Sequence, residues 1–351
     1  MNEVTSREVQ DAQDRAQPPA ERSSRNRIHV GEFGWVWIGL LGVYGLSLLV
    51  APGTLRLNSV MAALPFTAIL AIIAAGQTLV IQQRGLDLSA PGVVTISAIL
   101  MTKVGASNDS ALVGVAAALV VAALVGLVNG VIVTGLSITP LVATLATNSV
   151  LVGAAYAISG GAYSTATVGW VEFARDRVFG VPVPVVIAVV LIGGLAWVFR
   201  KSVFGRRFVI VGANPAAARA AGIRFRQSQL TAYVVCSLCA GIGAVLLTGV
   251  TGAATPDLGT PYLFSAITAV VVGGTFFTGG RGSVVATTAG ALLLSQLSQL
   301  TLALGAPAST QLFVTAGVLV LSVSLRHFSF RTVTRPVGTQ VSSAGRGGRG
   351  T

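Results

Sequence analysis

Long apolar runs with almost no charge follow one another from about residue 33 to residue 325, and only short polar breaks separate them. A helix that crosses a lipid bilayer needs roughly 20 mostly apolar residues. The pattern therefore predicts an all-α, polytopic membrane protein with about ten transmembrane helices, some of them short or broken. The predicted spans are residues 35–51, 59–82, 90–104, 111–134, 141–159, 181–199, 229–250, 264–278, 283–302 and 309–325.

Basic residues fall mainly on one side of the membrane if the chain crosses it ten times. That side then holds both tails, Arg84, the loop at 200–228 and Arg281. Because Lys and Arg collect in cytoplasmic loops, this side is predicted to be cytoplasmic, together with both termini. The other side keeps Arg56, Lys103, Arg175 and Arg177.

Composition favours the membrane class and argues against nucleic acid as a partner. Charged residues make up 10% of the chain, whereas a soluble domain carries about a quarter. The net charge of +12 is split between two tails and short loops, so no continuous basic face exists for nucleic acid. The predicted domains are a disordered cytoplasmic tail at 1–32, a transmembrane domain at 33–328 that includes the 200–228 loop, and a disordered cytoplasmic tail at 329–351.

Three Gly-rich segments break the helical pattern, at about 82–92, 252–262 and 273–282. Broken helices in transporters often expose backbone groups where a pathway or a moving gate lies. Asp87 or Ser89 is predicted to cap the helix that starts near residue 90. The Asp-Leu of the first break matches that of the second. This match is compatible with an inverted repeat, although short loops of Asp, Gly and Pro also match by chance.

The loop at 200–228 is the longest on the basic side and contains an alanine-rich stretch of high helix propensity. Asn214 can cap the start of a short helix, Pro215 suits its first turn and Gly222 suits its end. Such an exposed helix has almost no apolar bulk to bury in its own chain. From spacing alone, it is either a helix that docks into a groove on a partner or an ordinary connector.

Four segments follow one another along the chain: residues 85–89 (GLDLS), 144–147 (TLAT), 204–223 (FGR, GAN, AA and GI within it) and 269–283 (AVVVGGT and GGRGS). Together and in this order, they give the chain a resemblance to the permease subunits of bacterial ABC importers of the ribose, xylose and galactose type. The resemblance runs from the second span to the tenth. The chain departs from the family's pattern at Arg84, where glycine is common, and at residues 90–92, Ala146 and Asn148; these departures bear on the solute more than on the mechanism.

The resemblance implies a dimer of like or unlike permeases in the bacterial inner membrane. Each permease would rest on a cytoplasmic ABC ATPase subunit, and an extracytoplasmic solute-binding protein would deliver the solute. Membrane lipid is the remaining partner. The resemblance also implies that the helix in the 200–228 loop is a coupling helix moved by the ATPase. The residues that match the family's coupling loop are Gly212, Asn214, Ala217, Ala218, Gly222 and Ile223.

No nucleotide site is expected in this chain. A phosphate loop needs a Gly-rich backbone and a Lys before Ser or Thr, but Lys103 precedes valine and Lys201 follows arginine. ATP and magnesium are therefore expected in the partner subunit, and the chain is predicted to be a transporter subunit with no catalytic residue, bound cofactor or metal. Cys236 and Cys239, three positions apart, are interpreted as packing residues rather than metal ligands or a redox pair.

The spans hold almost no acid or histidine, which counts against coupling to a proton or sodium gradient. Their uncharged polar side chains offer donors and acceptors that suit a neutral, hydroxylated solute. The same side chains can equally bond a neighbouring helix, and Asp87 can be either a cap or a pathway residue. The candidate pathway and gate residues are Gln77, Asp87, Ser89, Asn129, Thr144, Asn148, Gly273 and Gly274.

The sequence thus predicts the membrane-spanning permease of an ATP-driven, binding-protein-dependent importer that moves a monosaccharide or related neutral solute by alternating access. Three alternatives stay open. They are a related permease for nucleosides or branched-chain amino acids, a self-sufficient secondary carrier or channel, and a membrane scaffold that transports nothing.

Overall fold

A computed structural model describes the backbone of residues 34–331 and the side chains of that range apart from Ala308 and residues 325–331. Most of this range is helical. The helices are α1 (Gly34–Val50), α2 (Leu57–Gln82), α3 (Ala90–Ser107), α4 (Ala111–Gly135), α5 (Pro140–Ser159), α6 (Val168–Arg175), α7 (Val183–Lys201), α8 (Val203–Ala213), α9 (Pro215–Ala220), α10 (Phe225–Thr251), α11 (Tyr262–Val272), α12 (Val284–Ala303) and α13 (Ala308–Arg331), with a 3-10 turn at Pro52–Leu55.

The strands are two residues long and form two antiparallel pairs. β1 (Ser164–Thr165) pairs with β4 (Ala253–Ala254), and β2 (Arg177–Val178) pairs with β3 (Val181–Pro182). The first pair ties the segment after α5 to the segment after α10. These pairs join connecting segments at one end of the bundle and do not form a sheet layer.

The all-helical, multi-pass class is confirmed, whereas the predicted number of spans is not. Within residues 34–331, seven helices are long and apolar enough to cross a membrane, namely α2, α3, α4, α5, α7, α10 and α12. Three further apolar helices are shorter: α1, α11 and Ser309–Ser324 within α13. The predicted tail at 1–32 lies outside the described residues, as does the tail at 329–351 apart from residues 329–331, which continue α13.

Four helices form the interior of the bundle. In α2, α3, α10 and α12, more than half of the residues of an apolar 18-residue stretch are buried, whereas in α4, α5 and α7 less than a third of such a stretch is buried. Exposed side chains on α4 and α5 are large and apolar, for example Leu124, Val128 and Val150. Lipid or another subunit can cover such a surface without cost, because apolar side chains need no hydrogen-bond partner.

The predicted span at 264–278 is wrong at its C-terminal end, because α11 stops at Val272 and is 11 residues long. Gly274 has φ of 97°, its N–H bonds the Val271 carbonyl, and Thr275 N–H bonds the Val270 carbonyl. This pair of reversed bonds with a left-handed glycine is a Schellman motif, which ends a helix. The residues that follow are not helical until α12, so the non-helical segment matches the predicted break at 273–282 and the predicted span ran too far into it.

The 200–228 loop also contains a helix that the sequence analysis missed. Its first part is α8, whose Ser202 side chain accepts the Gly205 N–H at 2.9 Å as an N-cap. Phe208 on α8 is fully buried, and its ring lies 4.8 Å from the ring of Phe199 on α7. The sequence analysis placed this stretch in a loop, although its buried face is anchored by aromatic packing.

Glycines let the two most closely packed helices, α4 and α10, approach one another. A Cβ at Gly126 would lie 2.7 Å from Val234 Cα and 2.8 Å from the Tyr233 carbonyl oxygen. Gly130, one turn on, faces Leu230. Small residues drive helix association in membranes because they allow close backbone contact. The Gly126–Gly130 pair therefore serves as a packing surface.

We expect Gly126→Ala to lower the free energy of unfolding by about 1–3 kcal/mol, because the added methyl group forces α4 and α10 apart. Gly193→Ala is the matched control, since Gly193 is also inside a helix and a Cβ there meets nothing within 4 Å. Its melting temperature should stay level or rise, as alanine is the better helix former. Thermal unfolding of the purified chain in detergent measures both. Equal shifts in the two variants would contradict the packing role.

Candidate functional site

The three breaks in the helical pattern meet inside the bundle. Gly280 N–H, in the third break, donates to the Gln82 carbonyl oxygen at the end of α2 at 2.8 Å. Gly259 N–H, in the second, donates to Thr95 Oγ1 on α3 at 3.0 Å. The first break, residues 83–92 and hereafter the α2–α3 break, is thus held between the other two. It is the natural centre for a candidate site because unwound backbone lies there at the core of the protein.

Asp87 organises the turn into α3. Its Oδ1 accepts the Ser89 N–H at 2.8 Å and the Ser89 hydroxyl at 2.6 Å. Both residues are buried. Ser89 occupies the N-cap position of α3, but its side chain makes no capping bond to that helix. Neither predicted cap therefore bonds the first turn of α3, and Asp87 instead fixes Ser89, the residue at the N-cap position.

Asn129 on α4 extends this arrangement into a hydrogen-bonded chain. Its Nδ2 donates to Ser89 Oγ at 2.8 Å, and its Oδ1 accepts the Thr147 hydroxyl of α5 at 2.7 Å. Asn129 is fully buried. Asp87, Ser89, Asn129 and Thr147 therefore form one continuous network from the α2–α3 break through α4 to α5, and each bond polarises the next.

Two residues of α5 bond the backbone of the break directly. Thr144 Oγ1 accepts the Leu88 N–H at 3.0 Å, and Asn148 Oδ1 accepts the Gly92 N–H at 2.9 Å. Thr144 and Asn148 are four positions apart, so one face of α5 presents both. A helix break leaves backbone N–H groups without intrahelical partners. These side chains supply the missing acceptors, which is the interhelical role that the sequence analysis kept open beside a pathway role.

The start of the α2–α3 break lies against α8 and the third break. Gln83 Nε2 donates to the Phe208 carbonyl at 2.7 Å, and Arg84 Nε donates to the Gly212 carbonyl at 2.8 Å. Space here is tight, since a Cβ at Gly212 would overlap the Gln82 carbonyl oxygen. The segments around Arg84, the 200–228 loop and residue 280 thus meet at one end of the bundle, as their predicted common side requires.

The predicted coupling residues form a short capped helix next to this contact. Asn214 Oδ1 accepts the N–H groups of Ala216 and Ala217, each at 3.1 Å, so it caps α9. At the other end Gly222 has φ of 70°, and Ile223 N–H bonds the Ala218 carbonyl at 2.9 Å. The predicted start and stop are therefore confirmed.

The two faces of α9 differ. Ala218 is buried, whereas Asn214, Ala217 and Gly222 are exposed and Ile223 is half-buried. Gly212 belongs to α8 and is buried, so it packs beneath the exposed face that the other coupling residues form and is not part of that face. The exposed residues of α9 are Ala216, Ala217, Arg219 and Ala220.

Gln77 lies deeper, against α10. Its Oε1 accepts from Cys236 Sγ at 3.4 Å, and its Nε2 has no hydrogen-bond partner among the described residues. Asp87 Oδ2 and the Tyr233 hydroxyl are likewise buried without a partner there. Cys236 and Cys239 are free and buried, and both pack around Gly76 of α2, in keeping with the packing interpretation. Within residues 34–331, no group of three His, Cys, Asp or Glu side chains could hold a metal ion.

The candidate gate glycines lie where α11 ends against α12. A Cβ at Gly273 would lie 2.6 Å from Thr287 Cα, while Gly274 is the left-handed residue that stops α11. The predicted set thus comprises residues around the α2–α3 break, the two glycines at the α11–α12 turn, and Gln77 against α10.

Comparison with known proteins gives consistent matches over most of the chain. Residues 59–323 match the family described as branched-chain amino acid transport system / permease component. The ribose import permease protein RbsC of Escherichia coli K12 is 32% identical over 293 residues, which is 82% of this chain and 91% of the relative. The same permease of Bacillus subtilis 168 is 32% identical over 81% of this chain and 90% of its own length.

A second kind of relative is somewhat less similar. The autoinducer 2 import system permease protein LsrD of Yersinia enterocolitica is 29% identical over 314 residues, which is 86% of this chain and 94% of that protein. No solved structure matches the chain.

We expect Asn148→Leu to destabilise the α2–α3 break by about 1–3 kcal/mol, because a leucine of similar size leaves the Gly92 N–H unpaired. Hydrogen exchange of a peptide that covers residues 88–95 should become faster. The control is Ser149→Ala on the same helix, whose hydroxyl bonds only the Leu145 carbonyl of its own turn. An unchanged exchange rate in Asn148→Leu would mean that this bond does not hold the break.

Proposed function

The chain belongs to the family of branched-chain amino acid transport system permease components, and on that basis we propose that it is the membrane subunit of an ATP-driven importer for a monosaccharide or a related neutral solute. It is a multi-pass transporter subunit rather than an enzyme. The observation that carries the choice of solute is the match to ribose import permeases, which extends over 82% of this chain and 91% of the relative.

The interior chemistry supports a neutral solute. Polar side chains around the α2–α3 break are amides and hydroxyls, such as Gln77, Asn129 and Thr144, and Asp87 is the single acid among the candidate residues. A free amino acid carries two opposite charges, and each is costly to hold in an apolar bundle without a partner. This favours a sugar over a branched-chain amino acid, although the family's description names the latter. A nucleoside is also neutral, so this argument from charge does not separate it from a sugar, and it stays the alternative solute.

ATP energy has to reach this chain through a partner. We infer that a cytoplasmic ATPase subunit docks on the exposed face of α9, and that ATP and magnesium bind there rather than here. The short helix is capped at both ends, so it can transmit a push as a rigid element. Alternating access would follow when this push rearranges the breaks that meet at residues 82, 212 and 280.

The remaining partners follow from the same assignment. A solute-binding protein would deliver the solute on the opposite side, and a second permease, of like or unlike sequence, would complete the path. Both termini would be cytoplasmic in the inner membrane of a bacterial cell, since the basic residues cluster with the α9 end. The large apolar surface of α4 and α5 would be covered by lipid or by the second permease.

The docking role of α9 predicts the effect of a bulky residue on its exposed face. Ala217→Trp should lower solute-stimulated ATP hydrolysis by the assembled complex about tenfold, which corresponds to roughly 1.4 kcal/mol of lost coupling. Ala217→Ser, at the same position, adds little volume and should behave as the parent chain does. Hydrolysis is measured on the complex in proteoliposomes after its subunit composition has been verified. Full stimulation in an intact Ala217→Trp complex would contradict docking at α9.

The solute class is tested by uptake. Proteoliposomes that contain the permease, its ATPase and its binding protein should accumulate D-ribose or a similar sugar when ATP is inside, and should not accumulate leucine. The comparison includes a nucleoside, uridine, and vesicles that hold the permease alone under a sodium or proton gradient. Uptake by the permease alone would favour a secondary carrier, and accumulation of leucine in place of sugar would contradict the proposed solute.

A further inference from the structure

Arg84 has a backbone conformation that its side chain does not favour. At the end of α2, Arg84 N–H bonds the Ile81 carbonyl and Gly85 N–H bonds the Val80 carbonyl. These bonds form a Schellman motif in which Arg84 occupies the left-handed position, with φ of 62°. Glycine is the usual residue there because a Cβ is strained at positive φ. An arginine in this place needs a compensating interaction.

That interaction is made with the end of α8. Arg84 Nε donates to the Gly212 carbonyl, and Nη2 donates to the Ala213 carbonyl. The last carbonyls of a helix have no intrahelical partners and carry partial negative charge. The planar guanidinium reaches two adjacent carbonyls at once, which a lysine ammonium on a flexible stem matches less well.

The two ends of this contact lie beside the two elements that transport requires. Ala213 directly precedes Asn214, the residue that caps α9. Arg84 directly precedes the rest of the α2–α3 break, which Asn129 holds against α4 and which Thr144 and Asn148 hold against α5. One side chain therefore joins the root of the docking helix to the unwound backbone at the centre of the bundle.

The neighbouring contacts leave little freedom at this joint. Gly279 packs directly on the Arg84 side chain, and a Cβ at Gly280 would lie 2.5 Å from Ala213 Cα. Gln83 Nε2 also holds the Phe208 carbonyl of α8. A displacement of α9 would therefore be passed through α8 and Arg84 and would not be absorbed by loose packing.

We propose that Arg84 is a positioning residue that transmits movement of α9 to the α2–α3 break, so that ATP-driven motion and rearrangement of the break are linked through its guanidinium. This rests on the proposed function, because the movement is supplied by the partner ATPase. Arg84 touches no solute in this scheme. It sets how much of the motion at α9 arrives at the break.

The first experiment measures solute imported per ATP hydrolysed by the assembled complex. Arg84→Gly removes the side chain and suits the left-handed backbone, and it should lower this ratio about tenfold while hydrolysis continues. Arg84→Lys keeps the charge and should give an intermediate ratio. Arg56→Ala is the matched control, because Arg56 is an exposed arginine that flanks the other end of α2; its ratio should equal the parent's. The ratio does not change with the amount of folded protein, so a purely structural loss leaves it unaltered.

The second experiment needs neither a solute nor an ATPase. Asn214→Ala removes the α9 cap and should speed hydrogen exchange at residues 88–92 in the parent chain. The same substitution made together with Arg84→Gly should leave exchange at 88–92 as it is in Arg84→Gly alone, since the link is already broken.

An unaltered import ratio in Arg84→Gly would overturn the proposal, as would an Asn214→Ala effect at 88–92 of equal size with and without Arg84. If the parent complex imports no sugar, the proposed solute fails, yet the exchange experiment still decides whether Arg84 links α9 to the break.

Discussion

Backbone polar groups cannot stay unpaired in an apolar interior, and this constraint shapes the structure at every break in its helices. Residues 83–92 leave the helical hydrogen-bond pattern at the centre of the bundle. Two of their N–H groups, those of Leu88 and Gly92, are bonded by side chains of another helix, namely Thr144 and Asn148 of α5. The position of α5 against the interior is thus tied to what the break needs. Replacing either acceptor with an apolar residue removes a partner that water cannot supply there.

The same constraint explains why three breaks lie together. Gly280 N–H uses the Gln82 carbonyl, and Gly259 N–H uses the Thr95 hydroxyl. The second and third breaks each bond a residue that flanks the α2–α3 break, so hydrogen bonds join the three segments. Under the proposed coupling, a push at one end of the bundle would reach its centre through these bonds. This is the property that an importer driven by a separate ATPase requires, and it depends on bonds that exchange partners at low net cost.

The helices and the residues that start and end them were predictable from sequence, because apolar runs, Pro and Gly act locally. The caps of α9 at Asn214 and Gly222 illustrate this. The predicted span at 264–278 ran past the end of α11, since Phe276 and Phe277 continue the apolar pattern beyond the left-handed Gly274 that stops the helix. The bonds from Thr144 and Asn148 could not be located either. Each joins residues 56 positions apart, and nothing in the spacing of a single sequence identifies such a partner.

The bonding of the interior side chains also constrains how a solute could be handled. The side-chain oxygens of Asn129, Thr144 and Asn148 already accept hydrogen bonds from the protein itself. A sugar hydroxyl that meets them must therefore displace existing bonds. Such an exchange gives little net affinity, because one hydrogen bond replaces another. A weak site is adequate for a permease that receives its solute from a high-affinity binding protein, and tight binding would slow release. Only a few interior polar atoms, among them Gln77 Nε2, Asp87 Oδ2 and the Tyr233 hydroxyl, lack a partner among the described residues, and such a sparse set suits a path with brief contacts.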